Sequence, residues 1–188
     1  MCKFGYLIKL ILIWGFGYYV TSFIINPKIS VATTTYLDQF IPFIGWTGWI
    51  YLSLPIWMYY VGRNIFVSQI FKHFYRSYKY LILSSLILFI LFPTHIEREI
   101  STDFIMQFIY IIDPSSHKAL PSLHISMMVL PLLYLRRLNS QSIIFYLWAL
   151  LIAVSCLTTK QHNLLDIISG AGFAFIVYGF FEDIKHKH

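Results

Sequence analysis

Pro121-Ser122-Leu123-His124-Ile125-Ser126-Met127-Met128-Val129-Leu130-Pro131-Leu132-Leu133-Tyr134-Leu135 is an apolar run with a polar head, and Arg136-Arg137 closes it. A tight turn from Arg136 to Ser142 leads into a second apolar run, Ile143 to Leu157. After Thr158-Thr159-Lys160-Gln161-His162-Asn163 a third run extends from Leu164 to Phe181. A short connection makes successive helices antiparallel. The chain therefore returns to the end where it started, and His124 and His162 belong to the same end of the hairpin.

Composition says which solvent those helices meet. The 188 residues are 58% hydrophobic and only 12% charged, against roughly 25% charged in soluble domains. Such a chain is an integral membrane protein. A spanning helix needs about 20 mostly apolar residues, and stretches near residues 4–25, 40–61, 78–92, 122–135, 143–158 and 164–181 meet or approach that length. Spans three to five are short as bare apolar runs, and reach membrane length only if flanking residues such as Ser122 or Thr158 continue the helix. The expected fold is an all-α bundle of six transmembrane helices in a single domain covering 1–188.

Orientation follows from the basic residues. Lys3, Lys9, Arg63, Lys72, Arg76, Lys79, Arg136, Arg137, Lys185 and Lys187 fall on one side of a six-span arrangement, whereas Lys28, Arg98, Lys118 and Lys160 fall on the other. The positive-inside rule makes both termini cytoplasmic and the His124 and His162 end extracytoplasmic. Residues 1–25 have basic flanks like a signal peptide but no small-residue cleavage site, so they read as an uncleaved first span. The formal charge of +6 then reflects anchoring beside anionic headgroups. No basic run with interleaved aromatics points to nucleic acid. The lack of a long tail favours a bacterial inner membrane.

Cys2 and Cys156 are too few for a disulfide framework or a metal site built from paired cysteines. Arg63 to Ser77 reads as a basic cytoplasmic loop carrying an interfacial helix. Pro93 to Leu120 is the one long outer connection, joining spans three and four. Within it Ser101-Thr102-Asp103 caps a short helix over Phe104 to Ile112, which Asp113-Pro114 ends. That helix is too short to span, and lies at the interface or over the bundle end.

Two constellations carry chemistry. In His162-Asn163-Leu164-Leu165-Asp166 the histidine and the carboxylate lie at i and i+4, on one helix face. Asp166 can hold one imidazole nitrogen and leave the other free as nucleophile or base. In Pro121-Ser122-Leu123-His124 the proline suits a first helical turn, where exposed N–H groups and the Ser122 hydroxyl form a cradle for a phosphate oxyanion. Either alone is weak, since Ser and Pro begin many helices for capping reasons only. Their recurrence one hairpin apart is far more specific.

On these residues the chain resembles the type 2 phosphatidic acid phosphatase superfamily. That family's Pro-Ser-x-His motif is matched by Pro121, Ser122 and His124, with Leu123 where many members have Gly. Its Ser-Arg-x5-His-x3-Asp motif is matched at Ser155, His162 and Asp166, with Cys156 in the place of the Arg. Of its first motif, Lys-x6-Arg-Pro, only Arg98 is in place; Leu91 stands at the Lys position and Glu99 at the Pro position. The resemblance covers the chain from about the third span onward.

It implies that His162 attacks phosphorus to give a phosphohistidine, that Asp166 orients it, and that His124 protonates the leaving oxygen. Ser122 and Ser155 would hold phosphoryl oxygens, and no metal or other cofactor is expected. Phosphoryl transfer needs positive charge around the equatorial oxygens, and Lys160, Lys118 and Arg98 are the candidates to replace the two missing cations. The implied substrate is the phosphomonoester or pyrophosphate of a membrane lipid, with hydrolysis favoured for so compact a chain. The alternative is headgroup transfer between lipids, as in inositol phosphorylceramide synthase-like enzymes.

Three other readings compete. His95 and His117 could be grouped with His124 and His162 as metal ligands, but they follow no ligand spacing. Haem ligation through His124 and His162 would put axial ligands at helix ends rather than within the bundle. A catalytically inert membrane protein that keeps the fold is the remaining alternative, and the intact set of Ser122, His124, His162 and Asp166 argues against it.

Overall fold

The computed structural model describes residues 3–25, 27–139 and 142–186. Cys2, Lys187, Asn26 and the Ser140-Gln141 tip of the 136–142 turn, all of which entered the sequence reading, lie outside the described residues. The protein is mostly helical. In chain order the helices are α1 (Lys3–Ile24), α2 (Gly48–Tyr51), α3 (Leu54–Val67), α4 (Phe71–Leu91), α5 (Phe104–Ile112), α6 (Leu123–Arg137), α7 (Ile143–Thr158) and α8 (Leu164–His186). Single-turn 3-10 segments at Pro27–Ile29, Tyr36–Phe40 and Gly45–Thr47 shape the connections.

The long helices pack side by side: α6 lies against α8 and α3, running parallel to both, and α4 runs parallel to α1 and antiparallel to α6 and α8. Trp57, Leu81, Ile82, Leu130, Tyr134, Leu135 and Ile152 are fully buried where they meet. Gly17 permits the α1 and α4 contact, since a Cβ there would meet Leu86 Cδ1 at 2.5 Å. Indole N–H groups fasten the bundle further: Trp57 donates to the Phe145 carbonyl at 2.9 Å and Trp148 to Ser53 Oγ at 2.8 Å.

The outward faces are as apolar as the core. Phe16 and Phe23 are each 72% exposed and Ile176 is 70% exposed, with Leu12, Ile143, Ile144, Leu150 and Leu151 similarly bare. Two helices, Phe71–Leu91 and Leu164–Glu182, are long and apolar enough to cross a membrane, and Ile8–Ile24 and Ile143–Thr158 are shorter apolar helices.

Element boundaries depart from the sequence reading in two places. Residues 40–61 do not form one helix: the 45–47 turn, α2 and the start of α3 divide them. Gly45 and Gly48 explain the break, because both lie against α5, where a Cβ on Gly48 would meet Ile109 at 3.1 Å and Ile105 at 3.2 Å. The supposed basic loop over residues 63–77 is nearly all helix. α3 continues through Arg63, and α4 begins at Phe71, so only residues 68–70 connect them. Phe71, Phe74, Tyr75 and Tyr78 are buried there, and tertiary burial outweighs the interspersed charges of Lys72, Arg76 and Lys79.

α5 forms over the expected residues and buries Ile105, Met106 and Ile109 against the 45–51 turn. Ser101 Oγ accepts the Asp103 N–H at 3.1 Å. Three connections at this end of the bundle run side by side. β1 (Val31–Ala32) pairs in parallel with β2 (Thr94–His95), Val31 opposite Thr94, and Thr94 also bridges to Lys118. These short pairings bring the loops after α1 and α4, and the loop before α6, over the helix ends that carry His124 and His162.

Candidate active site

The turn between α7 and α8 sets the position of His162. α7 ends in a Schellman motif: the Gln161 N–H donates to the Cys156 carbonyl at 3.0 Å and the Lys160 N–H to the Leu157 carbonyl at 3.1 Å. The residue that reverses the chain, usually Gly, is Lys160 with φ 54°. Its ammonium donates to the carbonyls of Asp38 at 2.9 Å and Ile41 at 2.6 Å. Lys160 is therefore a clamp on the outer loop, and not a cation turned toward His162.

Asp38 completes that clamp. Its Oδ2 accepts from the Thr35 N–H at 2.7 Å and hydroxyl at 2.6 Å, and its Oδ1 from the Leu164 N–H at 2.8 Å. Burial raises the Asp38 carboxyl, but the bonds from Thr35 and Leu164, with the Lys160 charge, hold it below the usual carboxylate range.

At the start of α8, Asp166 is completely buried and His162 is 7% exposed. Asp166 Oδ2 accepts from the Asn163 N–H at 2.8 Å and the Thr33 hydroxyl at 3.3 Å. His162 Nδ1 faces the same oxygen at 3.8 Å, close enough for an ion pair but beyond a hydrogen bond. Among the described residues neither His162 Nδ1 nor Asp166 Oδ1 has a hydrogen-bond partner.

His124, one residue into α6, stacks on Tyr51 with ring centroids 4.5 Å apart and stands edge-on to His162 at 5.8 Å. The two imidazoles expected to share a phosphorus atom are thus neighbours. One main-chain and one side-chain bond between the α6 and α8 starts hold them so: the Ser122 N–H donates to the Asp166 carbonyl at 3.0 Å, and Ser126 Oγ donates to the Gly170 carbonyl at 2.9 Å.

A small pocket beside His162 is lined by Arg98, Lys118, Asp113, Tyr18, Ser116 and Gln161 among others. Arg98 donates to the Asp113 carbonyl at 2.5 Å, to its Oδ2 at 3.3 Å and to the Ser115 carbonyl at 3.2 Å. Tyr18 donates its hydroxyl to the same carboxylate oxygen at 3.0 Å. The buried Lys118 ammonium donates to Ser22 Oγ at 2.7 Å and the Tyr18 carbonyl at 3.0 Å, and lies 3.3 Å from the centre of the Tyr18 ring. Burial pushes the Lys118 ammonium down to about 8; the Asp113 carboxylate opposes that fall and Arg98 adds to it. Burial, helped by His95, Arg98 and Lys118, likewise lowers His117.

Of the residues the sequence singled out, His162, Arg98 and Lys118 share one pocket, with His124 in ring contact and Asp166 behind. Ser122 and Ser155 have other tasks. Ser122 is the α6 N-cap, accepting the Ile125 N–H at 3.4 Å, and Ser155 donates to the Ile152 carbonyl at 2.7 Å inside α7. Both are buried in helix packing and neither lines the pocket, so their assignment as phosphate ligands is not what the geometry favours. Cys156 is a buried free thiol within the bundle. No group of three or more potential metal ligands occurs among the described residues.

Sequence reasoning missed Asp113, Tyr18, Thr33, Asn163 and Tyr51. Asp113 was read only as a helix stop; its neighbours here come from α1 and from the loop after α4, and no local spacing signals that. No family model matches the chain, and neither a curated protein nor a solved structure matches it.

Proposed function

We propose that this protein is a six-span membrane enzyme that hydrolyses the phosphomonoester or pyrophosphate of a membrane lipid through a phosphohistidine on His162. The observation that carries this reading is the edge-on pair of His124 and His162, with the buried Asp166 carboxylate behind one ring and Arg98 and Lys118 lining the pocket beside it. The apolar outer faces, and the alternation of direction from each long helix to the next, support spans at α1, α2–α3, α4, α6, α7 and α8, with the site at the extracytoplasmic end. The family resemblance in the Pro121–His124 and Ser155–Asp166 segments points the same way.

In the proposed reaction His162 Nε2 attacks phosphorus in line, forming the N–P bond as the bond to the lipid oxygen breaks. His124 delivers a proton to that oxygen. Asp166 stabilises the positive charge that builds on the His162 ring, as an orienting carboxylate does in other nucleophile–base pairs. Arg98 and Lys118 neutralise charge on the equatorial oxygens. Water then attacks the phosphohistidine, with His124 taking its proton, and inorganic phosphate leaves.

Purified protein in nanodiscs, incubated with a panel of lipid phosphates and pyrophosphates with and without an acceptor lipid, tests this. Phosphate release without acceptor, abolished by His162→Ala, is the expected result. Product formed only when a lipid alcohol is present would replace hydrolysis by headgroup transfer, and no reaction with any lipid would remove the enzymatic reading.

A further inference from the structure

A second, larger cavity of about 290 Å³ opens on the side of the bundle between α1 and the α2–α3 junction. Its outer wall is apolar, formed by Trp14, Gly15, Tyr19, Leu52, Pro55 and Ile112. Its inner end is polar: Lys118, Asp113, Tyr18 and His124 line it, and the first three also line the pocket that holds Arg98 and His162. Tyr18, Asp113 and Lys118 therefore form a wall common to the two cavities. An apolar trough that runs from the lipid-facing flank to a buried ammonium matches a molecule with a hydrocarbon chain at one end and an anion at the other.

We propose that this groove holds the chain of a single-chain lipid phosphate, threaded between α1 and α3, with the phosphate gripped by Lys118 and Arg98 beside His162. This rests on the phosphatase reading and narrows its substrate. The volume is at the low end of the roughly 300–1,000 Å³ typical of small-molecule sites, which suits one chain rather than two. Gly15 makes the wall testable. A Cβ built there has nothing within 4 Å, so a side chain can be introduced at 15, on the cavity wall, without a clash at its root.

The experiment compares dodecyl phosphate, phenyl phosphate and a two-chain phosphatidic acid in nanodiscs, with wild type and Gly15→Trp. Wild type is expected to favour dodecyl over phenyl phosphate by at least tenfold in kcat/KM, and Gly15→Trp to lower that ratio at least fivefold. An unchanged ratio in the variant overturns the groove, and phosphatidic acid turned over as well as dodecyl phosphate overturns the single-chain assignment.

A second arm needs no turnover. Dodecyl phosphate with a terminal bromine should quench tryptophan fluorescence more than the matching brominated alcohol, and Trp14→Phe should erase the difference. Equal quenching by the two in wild type overturns the groove, whether or not any substrate is turned over. Quenching without phosphate release from any substrate would leave the groove standing and remove the phosphatase reading.

Discussion

The Ser122 N–H donates to the Asp166 carbonyl across a 3.0 Å gap, so the segments bearing the two histidines are joined by main chain. That approach depends on Gly170. A Cβ there would lie 2.5 Å from the Ser122 carbonyl oxygen and 3.1 Å from its Cβ, and backbone cannot yield as a flexible side chain can. Gly170→Ala should push α6 from α8 and destabilise the fold by about 1–3 kcal/mol, read as a lower unfolding temperature in detergent. Phosphate release should fall by roughly 10²-fold, as expected when reacting groups move by about 1 Å.

His162→Ala should abolish phosphate release, by at least about 10³-fold, because the proposed nucleophile is lost. A radiolabelled intermediate that survives base and is destroyed by acid should form in wild type and be missing in the variant. Asp166→Asn keeps the shape but removes the charge opposite Nδ1. It should lower kcat by about 10²–10⁴-fold while KM changes little.

Lys118 gives the pH dependence. Its ammonium titrates near 8, below the model-peptide value of about 10.4, so affinity for a phosphate headgroup should fall as pH rises through 8. The stability effect has the opposite sense. Between pH 8 and about 10.4 the unfolded chain holds more protons than the folded one, so this group adds stability as pH rises across that window. Lys118→Met should flatten both profiles. A KM profile identical to that of wild type would remove Lys118 from the phosphate site.

Asp38 predicts the acid limb. Bonds from Thr35 and Leu164 hold its carboxyl below the usual range. The stability it contributes is complete above its unfolded value of about 3.9 and is lost as pH falls through the lower folded value. Asp38→Ala should cost about 1–3 kcal/mol at neutral pH and remove that part of the acid sensitivity. Lys160→Ala, which releases the Asp38 and Ile41 carbonyls, should lower stability with little effect on the KM for short-chain substrates. A large rise in that KM would return Lys160 to the phosphate site.

The sequence made α5, α6, α7 and α8 readable because each is a contiguous apolar run with local stop signals, such as Asp113-Pro114 after α5. It misread residues 40–61 and 63–77, where the outcome turns on packing between distant segments: Gly48 under Ile109, and Phe71, Tyr75 and Tyr78 against neighbouring helices. The histidines and Asp166 were legible from spacing, but not through a shared helix face: α8 begins at Leu164, so His162 meets Asp166 from the turn before it. The cations were only partly so. Arg98, Lys118 and Lys160 look alike along the chain, and what separates them is where each ammonium or guanidinium finds oxygen partners. For Lys160 those partners are the Asp38 and Ile41 carbonyls, which no spacing rule could nominate.

Asp113 holds Arg98 through both its carbonyl and its carboxylate. Under the proposed reaction an arriving phosphate must displace this tethered rival, and a chain anchored in the bilayer supplies the local concentration to do so. Once cleaved, the inorganic ion has no anchor, and the carboxylate reclaims the guanidinium. On that proposal the arrangement would favour prompt discharge of the product and weak inhibition by free phosphate, because the site carries its own competitive anion.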